Sequence, residues 1–201
     1  MSKNNSIDRR IAKSKQALKD ALISLMQKKD FKEITITDLV QLANLNRGTF
    51  YKHYQYKEDL LEEMMDDVIS NLIASYREPY INSETFEVRK LTSSAIKIFD
   101  HVDKYRGFYT LIVQSSALSG FQNKICHVLK DLVLHDLYDH HPDAKIDREL
   151  QASFHAYAIF GMMVEWINQG FKYSSTYMAE QLLKIIQFSQ VNTVFKLHLT
   201  E

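Results

Sequence analysis

Between Thr35 and Tyr54 the chain fits two helix starts and one helix stop into about twenty residues, which leaves few ways to fold it. Thr35 precedes Ile36, Leu39, Val40 and Ala43, whose spacing is that of one helical face. Asp38 stands three residues after Thr35, so the two can form an approximate capping box, with the acidic group also favouring the positive helix end. Asn44 tolerates the left-handed conformation that ends a helix sharply, and Leu45 can plug between the two helices. Asn46 can then cap a second helix, about residues 46–53. That helix turns Phe50 and Tyr54 inward and exposes Arg47, Gly48, Thr49, Tyr51, Lys52 and His53. A short helix with nearly every outward position able to donate a hydrogen bond is wasteful as scaffold. It suits insertion into a DNA major groove.

The rest of the chain reads as all-α. Only five glycines and two prolines occur in 201 residues, which argues against a turn-rich β fold. A first helix is expected over 7–29, with Ile11, Leu18, Leu22, Leu25 and Met26 on one face. Residues 7–56 then form a helix-turn-helix domain and 57–201 a larger helical domain, joined by a helix over 57–76. Further helices are expected over 84–103 (through Leu91, Ala95 and Ile98), 105–115, 118–138, 147–169 and 176–198. The stretch from Ala156 to Val164 is almost wholly apolar, which predicts a central helix buried on all sides that also meets a partner subunit. Gly161 would let a neighbouring helix approach, and Gly170 ends the helix.

Charge is balanced overall but uneven along the chain. Residues 1–60 hold 12 Lys and Arg against 7 Asp and Glu, net +5, and residues 61–201 hold 13 against 18, net −5. A basic head on an acidic body is expected where one end meets a polyanion. Arg9, Arg10, Lys13, Lys15 and Lys19 on the first helix are either a solvated face or a set that lies near phosphates. The polar N-terminus, the lack of a long apolar run and the single Cys126 point to a cytoplasmic protein without a disulfide framework or membrane span. Cys126 reads as an inert buried thiol. No nucleophile–base order, glycine-rich phosphate loop or paired-carboxylate motif stands out, so no enzyme is expected. His135, Asp139, His140, His141 and Asp143 crowd a helix end and loop, but their spacing matches no fixed ligand pattern. Neither metal nor cofactor is assigned.

Thr35-Ile36-Thr37-Asp38-Leu39-Val40, then Arg47 to Tyr54, then Lys57-Glu58-Asp59-Leu60-Leu61, closely resemble the N-terminal domain of TetR-family transcriptional regulators. The family usually shows Gly, Ser and Phe where this chain has Asn44, Asn46 and Tyr54. The remainder is similar in layout, through Trp166 and Gly170, to the group compared with dihydroxyacetone-kinase regulators. The resemblance implies a homodimeric regulator, usually a repressor, that reads a palindromic operator in double-stranded DNA and is released by a small molecule. The alternative is a helical partner-binding coregulator that has lost operator binding.

On this reading Arg47 contacts phosphate or a guanine edge, and Thr49 and Tyr51 contact phosphate or a thymine methyl. Lys52, His53, Lys57, Thr35 and Thr37 contact phosphate. Asn46 belongs to the same surface, and Gly48 keeps the helix close to the groove. Tyr105, Tyr109, His155, Met162 and Trp166 either line a pocket for a hydrophobic or aromatic effector or are packed core. Phe160, Gly161, Val164, Ile186, Val191 and Phe195 are the candidate dimer interface.

Overall fold

A computed structural model describes residues 2–81, 92–115, 118–136 and 146–188. Among these the architecture is entirely helical: α1 (Ser2–Met26), α2 (Ile36–Leu42), α3 (Arg47–Tyr51), α4 (Lys57–Arg77), α5 (Ile98–Lys104), α6 (Arg106–Gln114), α7 (Ser119–Asp136), α8 (Arg148–Asn168) and α9 (Ser175–Phe188). Short 3-10 turns cover Phe31–Glu33, Glu78–Tyr80 and Ser93–Ala95.

The N-terminal three helices wrap one small core. Leu18 and Leu22 of α1, Ile34, Leu39 and Val40 around α2, and Phe50 of α3 are all buried, and Leu60 of α4 closes the cluster. Each such side chain contributes about 1.5–3 kcal/mol on leaving water. Ile11 lies outside this packing and is exposed, because α1 extends beyond the helices it rests on. α4 then serves both halves: it packs against α1 on one side and against α5 and α7 on the other. Lys124 of α7 fastens it through an ion pair to Asp66 at 2.9 Å.

The larger half is built on α7 and α8, which run against each other, with α6 packed on both. Its interior is aromatic. Phe99, Phe108, Tyr109, Phe121 and Trp166 are all buried. Phe108 meets Phe121 edge to face at 5.3 Å, and Phe99 meets Trp166 at 5.8 Å, both favoured geometries. α1 touches this half too, at α6, where Gly107 lies so close that a Cβ there would sit 3.2 Å from Cγ2 of Ile23.

Three expectations change. The helix expected over 84–103 starts only at Ile98 within the described residues, and Ala95 belongs to a 3-10 turn. Thr92, Ser93 and Ser94 sit at this break, and short hydroxyl residues of this kind disfavour helix interiors. α1 runs from Ser2 to Met26 rather than over 7–29. α8 is not buried on all sides. Ala152, Ala156, Met163, Trp166 and Ile167 face the core, while Leu150 (72% exposed), Phe154 (70%), Tyr157 (57%) and Gly161 face outward. The helix carries two apolar stripes on opposite sides. Residues 84–91, 137–145 and 189–201, with them Asp139, His140, His141, Asp143, Val191 and Phe195, lie outside the described residues.

Candidate nucleic-acid interface

Local hydrogen bonds fix the geometry of residues 35–54. Asp38 N–H donates to Thr35 Oγ1 at 3.1 Å, and Thr35 N–H donates to Asp38 Oδ2 at 2.8 Å, so the capping box is complete. Lys29 adds an ion pair to the same carboxylate at 2.8 Å. Together, the Lys29 ammonium first and then the Thr35 donors, they hold the Asp38 carboxyl down to about 2. At the other end of α2, Leu45 N–H reaches Val40 O at 2.8 Å and Asn44 N–H reaches Gln41 O at 3.2 Å. Those two bonds form a Schellman motif, with Asn44 at φ +52° in the position usually given to glycine. Asn46 follows immediately and accepts from Thr49 N–H at 2.8 Å and Thr49 Oγ1 at 3.1 Å. Helix stop and helix start are thus set by two asparagines with one leucine between them.

Phe50 anchors α3 with no exposure at all, its ring packed against those of Tyr51 (5.7 Å) and Tyr54 (5.6 Å). The opposite side of α3 is open. Arg47, Gly48, Tyr51 and Lys52 are exposed, Thr49 and His53 half-buried, and Arg47 Nη2 lies 3.5 Å from the Tyr51 hydroxyl. Thr35, Thr37 and Asn46 are exposed on the adjoining edge. The Asn46 side-chain oxygen is occupied by its capping bonds. A Cβ on Gly48 would approach that oxygen to 3.3 Å, so Gly48 protects the cap as well as keeping α3 thin.

Several basic side chains are engaged inside the protein. Lys57 Nζ donates to the carbonyls of Phe31 (2.7 Å), Lys32 (3.1 Å) and Ile34 (2.8 Å) and lies 4.6 Å from the Phe31 ring centroid. Its ammonium ties α4 to the turn before α2 instead of facing outward. The α1 stripe is divided. Arg9, Arg10 and Lys13 are exposed, but Lys15 and Lys19 pair with Glu63 of α4 at 2.6 and 2.8 Å, and Lys19 also pairs with Asp67. Tyr54 donates its hydroxyl to Glu63 Oε1 at 3.2 Å. Burial opposes the ionisation of Glu63, but the hydrogen bonds from Lys15 and Lys19 outweigh it and hold the carboxyl at about 2. Burial, reinforced by the Glu63 charge, pushes the Tyr54 phenol up. By sequence Glu63 reads, with Glu62, Asp66 and Asp67, as part of an acidic outer face of α4. Nothing in the sequence marked it as the point where α1, α4 and the residues after α3 meet.

In the larger half, Tyr109 and Trp166 are core residues with satisfied polar tips. The Tyr109 hydroxyl lies 3.0 Å from His101 Nε2, and Trp166 Nε1–H donates to Tyr173 O at 2.9 Å. His101, which sequence reading passed over, is buried; burial pushes it down to about 4, with Lys104 adding, so it is neutral at ordinary pH. Tyr105 is half-buried with its ring 4.8 Å from that of His101. Met162 and His155 are half-buried on α8, and His155 Nδ1 bonds back to Gln151 O at 2.9 Å. Phe160 and Ile186 pack partly against the core, Val164 is half-buried, and His135 is exposed near the end of α7. Among the described residues no cluster of His, Cys, Asp and Glu has the arrangement of a metal site, and no helix is long and apolar enough to cross a membrane.

A capped pair of short helices with one open polar face, carried on a larger helical body, defines a helix-turn-helix regulator. Residues 14–64 match the family described as bacterial regulatory proteins, tetR family, and residues 89–188 match the transcriptional regulator C-terminal region TetR_C_8. The chain belongs to the TetR family of transcriptional regulators and is not an enzyme. It is 25% identical over 204 residues to the uncharacterized HTH-type transcriptional regulator YxbF of Bacillus subtilis, an alignment covering 96% of this chain and 49% of that protein. It is 32% identical over 60 residues to the dhaKLM operon transcriptional activator DhaS of Lactococcus lactis, covering 30% of this chain and 32% of that one. The chain thus spans about half the length of the first relative and a third of the second. The solved structure of a dihydroxyacetone kinase operon activator DhaS shares the fold, with a TM-score of 0.60 and 18% identity over 88% of this chain and 95% of that one.

Proposed function

We propose that this regulator is a homodimeric repressor that reads a palindromic operator with α3 and leaves it when a small hydrophobic or aromatic molecule enters the larger domain. The open face of α3 carries this reading: Arg47, Tyr51 and Lys52 project from a helix whose start, stop and buried side are each fixed by separate bonds. Residues 7–56 form the reading head, and 57–201 the body that pairs and senses. Arg47 and Tyr51 supply base-edge contacts; Thr35, Thr37, Lys52 and His53 supply phosphate contacts. Lys57 braces the head. Dimerisation uses the outward stripe of α8, Leu150, Phe154, Tyr157 and Gly161, because so much clustered apolar surface is unfavourable in water. Two copies then place their α3 helices about 34–36 Å apart, one turn of DNA. An apolar effector fits the body better than a charged one. The interior of the body is aromatic, with Phe99, Phe108, Tyr109, Phe121 and Trp166 buried.

The test is a titration against the DNA upstream of its own coding region at two salt concentrations, with a footprint. Affinity falls steeply with salt, two protected patches lie one turn apart, and Lys52→Met flattens the salt slope by about one unit. Salt-insensitive or absent binding would replace the operator reading with a partner-binding coregulator. Transcription that rises on binding would replace repression with activation, the role in the name of the Lactococcus relative.

A further inference from the structure

We infer that Glu63 is a positioning residue that withholds Lys15 and Lys19 from DNA, so that the head's phosphate contacts come from α3, the start of α2 and the start of α1 and not from the middle of α1. The inference rests on the operator reading above. Three observations carry it. The first is location: Lys15 Nζ lies 5.4 Å from the centroid of the Tyr54 ring, and the Tyr54 ring lies 6.1 Å from that of His53 on the reading surface. Two lysines this near a polyanion would add affinity to any DNA, whatever its sequence.

The second observation is their engagement. Glu63 accepts from both lysines at 2.6 and 2.8 Å, and Asp67 takes a further bond from Lys19. Lys19 keeps only 13% of its side-chain surface in contact with solvent. The third is the Tyr54 hydroxyl, whose bond to the same carboxylate ties the exit of α3 to α1 and α4 at one point. One carboxylate therefore does two jobs. It orients the reading helix, and it cancels charge that would favour non-specific DNA. Both raise the ratio of specific to non-specific affinity.

The experiment measures salt slopes on the full chain for its own upstream DNA and for a scrambled duplex. The wild type binds upstream DNA with a steep slope. Lys15→Met and Lys19→Met leave that slope unchanged, whereas Lys52→Met lowers it by about one unit. Glu63→Gln keeps the size and an acceptor for Tyr54 but frees Lys15 and leaves Lys19 to Asp67 alone. It steepens the slope on scrambled DNA by about one unit and lowers the specificity ratio. Tyr54→Phe removes only the bond to α3. It weakens specific binding with no change in slope, a split that general loss of stability would not produce. A flatter slope in Lys15→Met or Lys19→Met, or an unchanged specificity ratio in a folded Glu63→Gln, would overturn the inference while leaving operator binding intact. Should Glu63→Gln not fold, the two lysine variants decide alone. A wild type that does not bind DNA overturns this inference and the operator reading together.

Discussion

Residues 35–54 and residues 148–168 are nearly equal in length and solve opposite problems. The first stretch makes two helices too short to persist alone. It holds them with bonds between neighbours: Thr35 with Asp38, Val40 with Leu45, and Asn46 with Thr49. The second is one uninterrupted helix, α8, whose only capping side chain is Asp147, accepting from Leu150 N–H at 2.9 Å. Its position depends on what lies against it: Phe99 and Phe171 around Trp166 on one side, while Phe154 on the other is 70% exposed. Order in the head is local and polar. Order in the body is long-range and apolar, and one side of α8 stays exposed.

The largest expected effect comes from breaking the long-range side. Trp166 is buried, meets two aromatic rings, and bonds to Tyr173 across the turn that separates α8 from α9. That turn is itself a Schellman motif, closed by Phe171 N–H on Trp166 O at 2.9 Å, with Gly170 at φ +66° and Phe171 at φ +58°. A left-handed phenylalanine is costly, and its packing on Trp166 and under Arg106 offsets that cost. Trp166→Ala is expected to lose about 3–5 kcal/mol, read as a fall in the denaturant midpoint. A loss under about 1 kcal/mol would mean that the body does not depend on this contact.

The outward stripe sharpens the contrast from the other direction. Phe154→Glu should leave the fold of one chain intact, since the side chain touches little of it. The dimer should dissociate in analytical ultracentrifugation, and operator affinity should fall by about a hundredfold or more as the two heads lose their linkage. A stable dimer in that variant would move the interface elsewhere on α8 or α9. By sequence the apolar stretch from Ala156 to Val164 reads as a surface that could meet a partner, without saying which side of α8 is left open. Phe160 and Val164 were natural candidates by composition, yet they sit between the two stripes and are half-buried by their own chain. Leu150, Phe154, Tyr157 and Gly161 follow a helical repeat as regular as that of Ala152, Ala156 and Met163, and periodicity alone does not say which repeat its own chain covers.

The head was far more legible, for a physical reason. Its caps join residues three to five apart, a range over which residue type nearly dictates the bond. Asn44 and Asn46 were readable as stop and start even though they depart from the usual family residues. Legibility failed in the head wherever a bond reached across it. Lys57 reads as a phosphate contact and Lys15 as either that or part of a solvated face, and both close onto partners 23 to 48 positions away. A lysine side chain is long enough to serve either role, and only the folded neighbourhood decides.

The smallest effect tests the local side of the comparison. Asn46→Ala removes the acceptor for two Thr49 donors and leaves a helix of five residues uncapped at its start. Such a loss costs about 1 kcal/mol, which for a chain of this size is a fall of about 2–4 °C in Tm. Asn46→Ser retains a capping oxygen and should recover most of it. The operator readout should exceed the stability readout, because an uncapped α3 frays at Arg47, where the contacts begin. Specific affinity should then fall more than tenfold while binding to scrambled DNA, which depends on charge and not on aim, changes little. If specific and non-specific binding fell equally, the cap would be holding the head together without aiming it. The division between a locally aimed head and a globally packed body would then lose its functional meaning.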